Sequence, residues 1–389
     1  MLVPKLRFRE FKEEWNKYKL NNIVTRIIRK NKNNESNLPL TISAQYGLVD
    51  QITFFNKNVS SSDLSNYYLL YNGEFAYNKS YSNGYPWGTV KKLKLYDNGV
   101  LSSLYICFSI NQNMNSDFLE HYFESTKWYY QISQIAVEGA RNHGLLNIAV
   151  DDFFNTKHYF PNIKEQEKIA NFLNLLDKKI ELQQRKIEAL KIYKKGLIQK
   201  MYQKNYNNKI KMEKILIQKS IRNTNNENYN VYSVSNKDGF ILQTEQFKDR
   251  IVASEDTKNY KVVEKDDFAY NPARINVGSV ARMKKDTKGI ISPMYICFKC
   301  NEEILPEYLE YFFESSKFTY EMNKRLEGSV RMCLSYESML NIPIELPNKN
   351  EQEEISKILN NLSDKIKLEE EKKIKLNKLK KGLLQKMFI

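Results

Sequence analysis

The sequence predicts an α+β protein with an internal pseudo-twofold repeat: two similar mixed α/β domains joined by two long helices that form an antiparallel coiled coil. Three observations predict it. First, residues 165–202 and 351–388 align without a gap. Both open on Glu-Gln-Glu and both close on Lys-Lys-Gly-Leu, an aliphatic residue, Gln-Lys-Met and an aromatic. Second, neither copy contains proline, good helix formers dominate, and apolar residues recur at 3-4 spacing. Third, five motifs recur in one order in the remaining sequence. SAQYGLVDQ (43–51) matches SNKDGFILQ (235–243), and GEFAYNKS (73–80) matches DDFAYNPA (266–273). LYICF (104–108) matches MYICF (294–298), FLEHYFESTKW (118–128) matches YLEYFFESSKF (308–318), and VEGAR (137–141) matches LEGSVR (326–331). The offset drifts by a few residues along the chain, as short loop insertions require.

Taken in order, residues 1–20 mix charges with Leu6, Phe8, Phe11, Trp15 and Leu20, which predicts a docking segment anchored by Trp15 and then the start of a helix. From 21 to 160, short apolar runs broken by Asn, Gly and Ser predict strands over Leu40–Ser43, Glu74–Tyr77, Thr89–Leu95 and Ser103–Phe108. Leu119, Tyr122 and Phe123 at helical spacing predict a helix capped by Ser116 and running to about Ile132. Pro161 breaks the chain before the first long helix. The resulting divisions are 1–162, a terminal segment and first domain; 163–204, a central helix; 205–348, a second domain; and 349–389, a C-terminal helix.

Each long helix should span roughly 50 Å at about 1.5 Å per residue. The expected seam is Leu173, Leu176, Ile180, Ile187, Leu190 and Leu197 in the first, with Gln183 and Lys194 as polar interruptions. In the second it is Leu359, Leu362, Ile366 and Leu383, and Lys373 stands where Ile187 does in the first. One such helix alone would expose its stripe to water. Two copies in one chain can cover each other.

The formal net charge is +15, which points to a polyanion partner, most simply nucleic acid, because Lys and Arg release counterions from phosphates. Aromatics at 13% and apolar residues at 41% exclude a disordered tail. Cys107 and Cys297 share the motif Tyr-Ile-Cys-Phe. No second cysteine pair accompanies Cys297 and Cys300, so buried free thiols in a reducing compartment are expected rather than a zinc ribbon. No run of about twenty apolar residues occurs and no signal-peptide core opens the chain, so a soluble, cytoplasmic protein is expected.

No phosphate-cradling GxxxxGK[ST], no GxGxxG opening a helix and no HExxH is present. Asn271-Pro272 continues into Ala273-Arg274, which fails the Asn/Asp-Pro-Pro-aromatic pattern of amino-methyltransferases. His121, His143 and His158 form no metal pattern. No catalytic residue and no metal ligand is therefore assigned. Binding chemistry is better supplied. The loop after the first FAYN carries Asn78, Lys79, Ser80, Tyr81, Asn83, Tyr85, Trp87 and Lys91; its counterpart carries Asn271, Arg274, Asn276, Ser279 and Arg282. Arg and Asn suit bidentate contacts to base edges, and Lys and Ser suit phosphates. A second loop, 138–144, carries Arg141, Asn142 and His143, matched by Ser329 and Arg331 beside Gly328. A third, 45–51 with 237–243, reads equally as a hairpin turn. The copies differ most inside these loops and least in the scaffold. Lys194, Lys195 and Lys200 recur as Lys380, Lys381 and Lys386, which predicts packing or partner surfaces at the helix ends. A coiled-coil scaffold without DNA, and a nuclease or methyltransferase–specificity fusion, are the competing readings.

At these residues the chain resembles the specificity subunit of Type I restriction–modification systems. The resemblance rests on the opening VPKLRFREFKEEW, the FAYN and LYICF scaffold of each domain, and the duplicated EQE…KKGL-QKM helices. It implies two target recognition domains, each reading one half of a bipartite site in double-stranded DNA. It also implies helices that set the spacer and dock two modification (methyltransferase) subunits, to which restriction subunits can be added. No cofactor is implied on this chain. S-adenosylmethionine, ATP and Mg belong to the partner subunits, and the specificity subunit itself carries no active site.

Overall fold

A computed structural model of the protein describes residues 2–57, 60–61, 63–136, 146–204, 206, 208–246, 256–328 and 331–389. The chain divides into two compact units, Met1–Gln184 with Lys372–Ile389, and Arg185–Glu371. Both boundaries fall inside the long helices, which run Ile163–Tyr202 and Lys349–Met387.

The first unit is built on an antiparallel four-stranded sheet in the order Val24–Arg26, Ile106–Ile110, Phe75–Asn78, Thr89–Lys92. Alternation along these strands sends Phe75, Tyr77 and Phe108 to one face and Ala76 and Cys107 to the other. The first face packs on the helix Ser116–Glu124 and on Trp128 and Phe153, with Phe75 and Phe108 stacked at 5.4 Å. The second face packs a smaller core with the hairpin Leu40–Ser43/Gly47–Asp50 and the pair Tyr68–Tyr71/Asn98–Leu101.

The second unit repeats the plan. Its main sheet runs Leu216–Lys219, Ile296–Cys300, Phe268–Tyr270, Val280–Arg282, and Phe268 stacks on Phe298 at 5.2 Å. A second four-stranded sheet, Gly239–Leu242, Asn230–Ser235, Gly289–Ile291, Lys261–Val263, covers the face that carries Ala269 and Cys297. All four cysteines are free thiols, and burial pushes Cys297 and Cys300 up to about 12.

The helix expected from Ser116 to about Ile132 is two helices, Ser116–Glu124 and Tyr129–Ser133, and its cap is Asn115, whose side chain accepts from the Phe118 N–H. Ser125 causes the break: its hydroxyl donates to the Tyr122 carbonyl and accepts from the Lys127 N–H. Ser315 acts alike in the second unit, between Pro306–Phe313 and Ser316–Asn323. The opening segment docks as expected. Trp15 is buried and Arg7 forks onto Glu165 with two 2.8 Å contacts, but a strand, Asn16–Lys19, and a single helical turn, Leu20–Ile23, follow.

Within each unit the helix segments run antiparallel. In the first, Lys373 Nζ donates to Gln184 Oε1 at 2.6 Å and Lys380 Nζ meets Asp177 at 2.6 Å. In the second, Lys186 meets Glu369 at 2.9 Å and Lys204 meets Glu351 at 3.3 Å. Of the expected seam, Leu173, Leu176, Ile187, Leu359, Leu362 and Ile366 are buried, while Ile180, Leu190, Leu197 and Leu383 are half-buried. At the closing motifs the burial moves one residue on, to Ile198 and Leu384, because there the helix is covered by a globular core as well as by its partner helix.

The duplicated motifs explain themselves locally. Gln166 donates to the Pro161 carbonyl and accepts from the Asn115 N–H; Gln352 donates to Pro347 and accepts from the Leu305 N–H. At the other end Lys380 pairs with Glu124 and Lys194 with Glu314, while Gln385 accepts from Thr126 and Gln199 from the Ser316 N–H. Each helix is thus pinned to a globular domain at both of its conserved ends, and these contacts lie inside one chain.

Candidate nucleic-acid interface

The loop Asn78–Gly88 leaves the central strand of the first unit and returns along its neighbour. Asn78 Oδ1 accepts from the Ser80 N–H and turns the chain out of the sheet. Asn271 does the same with Ala273 in the second unit. At the far end Gly88 (φ +76°) and Gly278 (φ +88°) turn it back in, a backbone conformation that glycine alone adopts without strain. The first loop is stiffened by Tyr77, whose hydroxyl donates to the Trp87 carbonyl, and by a tight turn in which Ser82 and Tyr85 exchange backbone bonds around Asn83-Gly84.

Each loop root is tied to the segment that follows the second candidate loop. The Leu146 N–H donates to the Lys79 carbonyl in the first unit, and the Leu334 N–H donates to the Pro272 carbonyl in the second. On the other side lies the hairpin that contains the third candidate. Asn236 donates to the Val277 carbonyl in the second unit, and Gln45 and Tyr46 line one groove with Tyr85, Gly88 and Lys91 in the first. The fold therefore sets the hairpin tip and the root of the second loop beside the FAYN loop.

The expected contact residues separate by exposure. Tyr81, Asn83, Arg274, Asn276 and Arg331 are exposed; Asn78, Lys79, Ser80, Tyr85, Trp87, Lys91 and Asn271 are half-buried. Arg141, Asn142, His143 and Ser329 lie outside the described residues. Two expectations are corrected. Ser279 is 5% exposed and sits at the sheet end of the loop. Arg282 is 9% exposed, and its guanidinium lies on Asp266 (2.7 Å), Glu307 and Glu310 (3.0 Å). Burial alone would favour its neutral form, but the three carboxylates raise its pKa. Lys92 holds the matching place in the first unit: it faces Phe75 across the strands as Arg282 faces Phe268, and it binds Asp117 and Glu120. These two cations fasten a helix to the sheet behind the loops.

A polar cluster lies below the first loop. His121, Glu124 and Asp177 come together with the geometry of a metal-ligand trio, but Lys380 Nζ sits 2.7 Å from Glu124 and 2.6 Å from Asp177 and supplies the cation itself. Burial disfavours the Glu124 carboxylate. The hydrogen bond from His121 and the charges of Lys380 and Lys91 override this and hold it well below the usual carboxylate range. Lys381, one of the recurring lysines expected to form a packing or partner surface, and Asn377, which carried no expectation, line the groove with the loop residues.

Residues 208–378 match the family described as Type I restriction modification DNA specificity domain. The fold is similar to the crystal structure of a Type-I restriction-modification system S subunit from M. genitalium, at 16% identity over 100% of this chain and 99% of that one, with a TM-score of 0.53. It is also similar to a chain from a structure of the type I R-M system concerned with complex assembly and conformational transition, at 13% identity over 97% and 98%, with a TM-score of 0.58. No helix among the described residues is long and apolar enough to cross a membrane.

Proposed function

We propose, from the premise that this chain belongs to the Type I restriction–modification DNA specificity family, that each unit reads one half of a bipartite duplex site through its FAYN loop and the two segments beside it. The observation that carries this reading is the contrast between the copies. The same strands, glycine turns and backbone ties hold both loops, yet the exposed side chains differ: Tyr81 and Asn83 in one, Arg274 and Asn276 in the other. Equal scaffolds with unequal readers suit two different short sequences. Arg274 has no side-chain partner among the described residues, and a free guanidinium suits guanine O6 and N7.

The long helices set the spacing of the two half-sites and dock two modification subunits, which carry S-adenosylmethionine. Restriction subunits, with ATP and Mg, can join that assembly. The exposed faces of the helices support a docking role. Phe172, Leu182 and Tyr193 are 40%, 55% and 60% exposed, and their repeat partners Ile358, Leu368 and Leu379 are 47%, 56% and 53% exposed. Three apolar positions left open in both copies suit two copies of one helical partner.

Replacing residues 21–160 by another recognition domain, and sequencing the methylome of a host that makes the complex, tests the reading. One half-site should change and the other should not. A change in both, or in neither, would defeat it.

A further inference from the structure

The first unit holds a groove of about 600 Å³ between the FAYN loop, the hairpin tip and the last turns of the C-terminal helix. Four lysines line it. Lys380 is committed to Glu124 and Asp177, and Lys373 donates to Gln184. Lys91 and Lys381 have no hydrogen-bond or ion-pair partner among the described residues, and Lys91 stands near enough to Glu124 to lower its pKa. Tyr46, which is 68% exposed, and the half-buried Tyr85 line the groove as well. Two uncommitted ammonium groups beside tyrosine rings and hydroxyls form a surface for a sugar–phosphate backbone rather than for a base edge.

We propose that this groove seats a backbone phosphate of the duplex next to the half-site read by the first unit, so that the C-terminal helix, through Lys381, contacts DNA directly. The inference rests on the reading above and deepens it. The second unit lacks the arrangement. The position of Lys91, opposite Ala76, is taken by Ala281, opposite Ala269, and the hairpin packs against it: a Cβ on Gly239 would lie 3.6 Å from that of Ala281. The contact is therefore one-sided, although Lys195 repeats Lys381 in sequence.

The test uses the full chain with its modification subunits and a duplex selected by that complex from a random-sequence pool. Affinity is measured between 50 and 200 mM salt for the wild type and for Lys91→Gln, Lys381→Gln, Lys381→Arg and Lys195→Gln. Each lost phosphate contact flattens the log–log salt slope by about 0.9, so the loss of affinity over that range becomes about threefold smaller. Lys91→Gln and Lys381→Gln should each show this, Lys381→Arg should restore the wild-type slope, and Lys195→Gln should leave it unchanged. Phosphate ethylation interference should disappear at one place, beside the first half-site only. Wild-type slopes in both glutamine variants would overturn this inference alone. The same flattening in Lys195→Gln would overturn its one-sidedness. Unchanged DNA binding with weakened association of the modification subunits would assign the groove to a protein partner instead. A wild-type complex that selects no duplex would overturn both this inference and the reading it rests on.

Discussion

Gly88→Ala tests whether the FAYN loop reads sequence, and Gly278→Ala supplies its control. Both glycines have positive φ, so an alanine side chain adds strain of about 1 kcal/mol at either position. Their surroundings differ. A Cβ on Gly88 would fall 2.1 Å from the Asn78 carbonyl oxygen and 2.9 Å from the Tyr77 ring, whereas at Gly278 it would meet only the Asn236 Cβ at 3.6 Å. Backbone oxygen cannot move aside as a flexible side chain can. Relief requires peeling the Asn78–Thr89 end of the strand pair, at about 1–2 kcal/mol more for lost hydrogen bonding. The loop must be restored to engage DNA, so the first substitution should weaken binding about 30- to 150-fold and the second about fivefold. Competition binding with the selected duplex and with duplexes mutated in one half-site measures this. Gly88→Ala should lose discrimination at the first half-site and keep it at the second. Full retention of affinity and discrimination in Gly88→Ala, with the substitution confirmed, would refute the assignment of the loop.

Arg282→Met leaves Glu307 and Glu310 without their buried cation and should destabilise the second unit by about 3 kcal/mol, seen as an earlier denaturation transition, while the salt slope of DNA binding stays unchanged. His158 makes stability depend on pH. Thr156 donates its hydroxyl to the Phe153 carbonyl, so His158 Nε2–H donates to Thr156 and Nδ1 accepts from Tyr122. Burial pulls its pKa down to about 3, so the folded unit resists a proton that the unfolded chain binds below 6.5. The contribution is whole above pH 6.5 and falls by about 1.4 kcal/mol per pH unit from there toward 3, so about 2 kcal/mol is lost at pH 5. Denaturant titrations at pH 7 and pH 5, compared with His158→Asn, should show a smaller pH dependence in the variant. Leu182→Ser and Leu368→Ser, on exposed helix faces, should leave thermal stability within about 0.5 kcal/mol and weaken co-purification of the modification subunits. Leu359→Ala, at a site with no exposure, should cost about 2–5 kcal/mol.

Much of the scaffold is legible because it depends on short-range pattern. Alternation in FAYN and YICF marks strands, the 3-4 apolar spacing marks the seam, and duplication checks each assignment against its copy. The helix break at Ser125 was missed because a serine inside an apolar period reads as tolerated. Its recurrence as Ser315, after Phe-Glu in both copies, was the available signal, since serine both closes one helix and caps the next. Arg282 was misplaced for a related reason. A basic residue near a loop reads as solvent-facing, but its strand partner is Phe268, and two residues directly opposite share a face. The acidic pairs Asp117/Glu120 and Glu307/Glu310, three apart on their helices, were the complement that could have revealed both buried cations. The groove was not legible, because it joins residues 45–46, 85–91 and 373–384, and only the folded chain brings these together.

Repetition itself therefore needs two interpretations. Lys380 and Lys194 are kept in both copies because each answers a glutamate of its own domain. Lys381 and Lys195 are also kept, but neither has a partner within the chain among the described residues. Intramolecular packing explains the first pair and leaves the second unexplained. Yet Lys381 lines one groove with Lys91, whereas Ala281 takes the place of Lys91 in the other copy. An identical lysine can thus carry different work in the two halves, and the neighbour that differs decides which. Sequence identity between the copies locates the scaffold, and divergence next to an identical residue locates the place where one half has acquired a contact of its own.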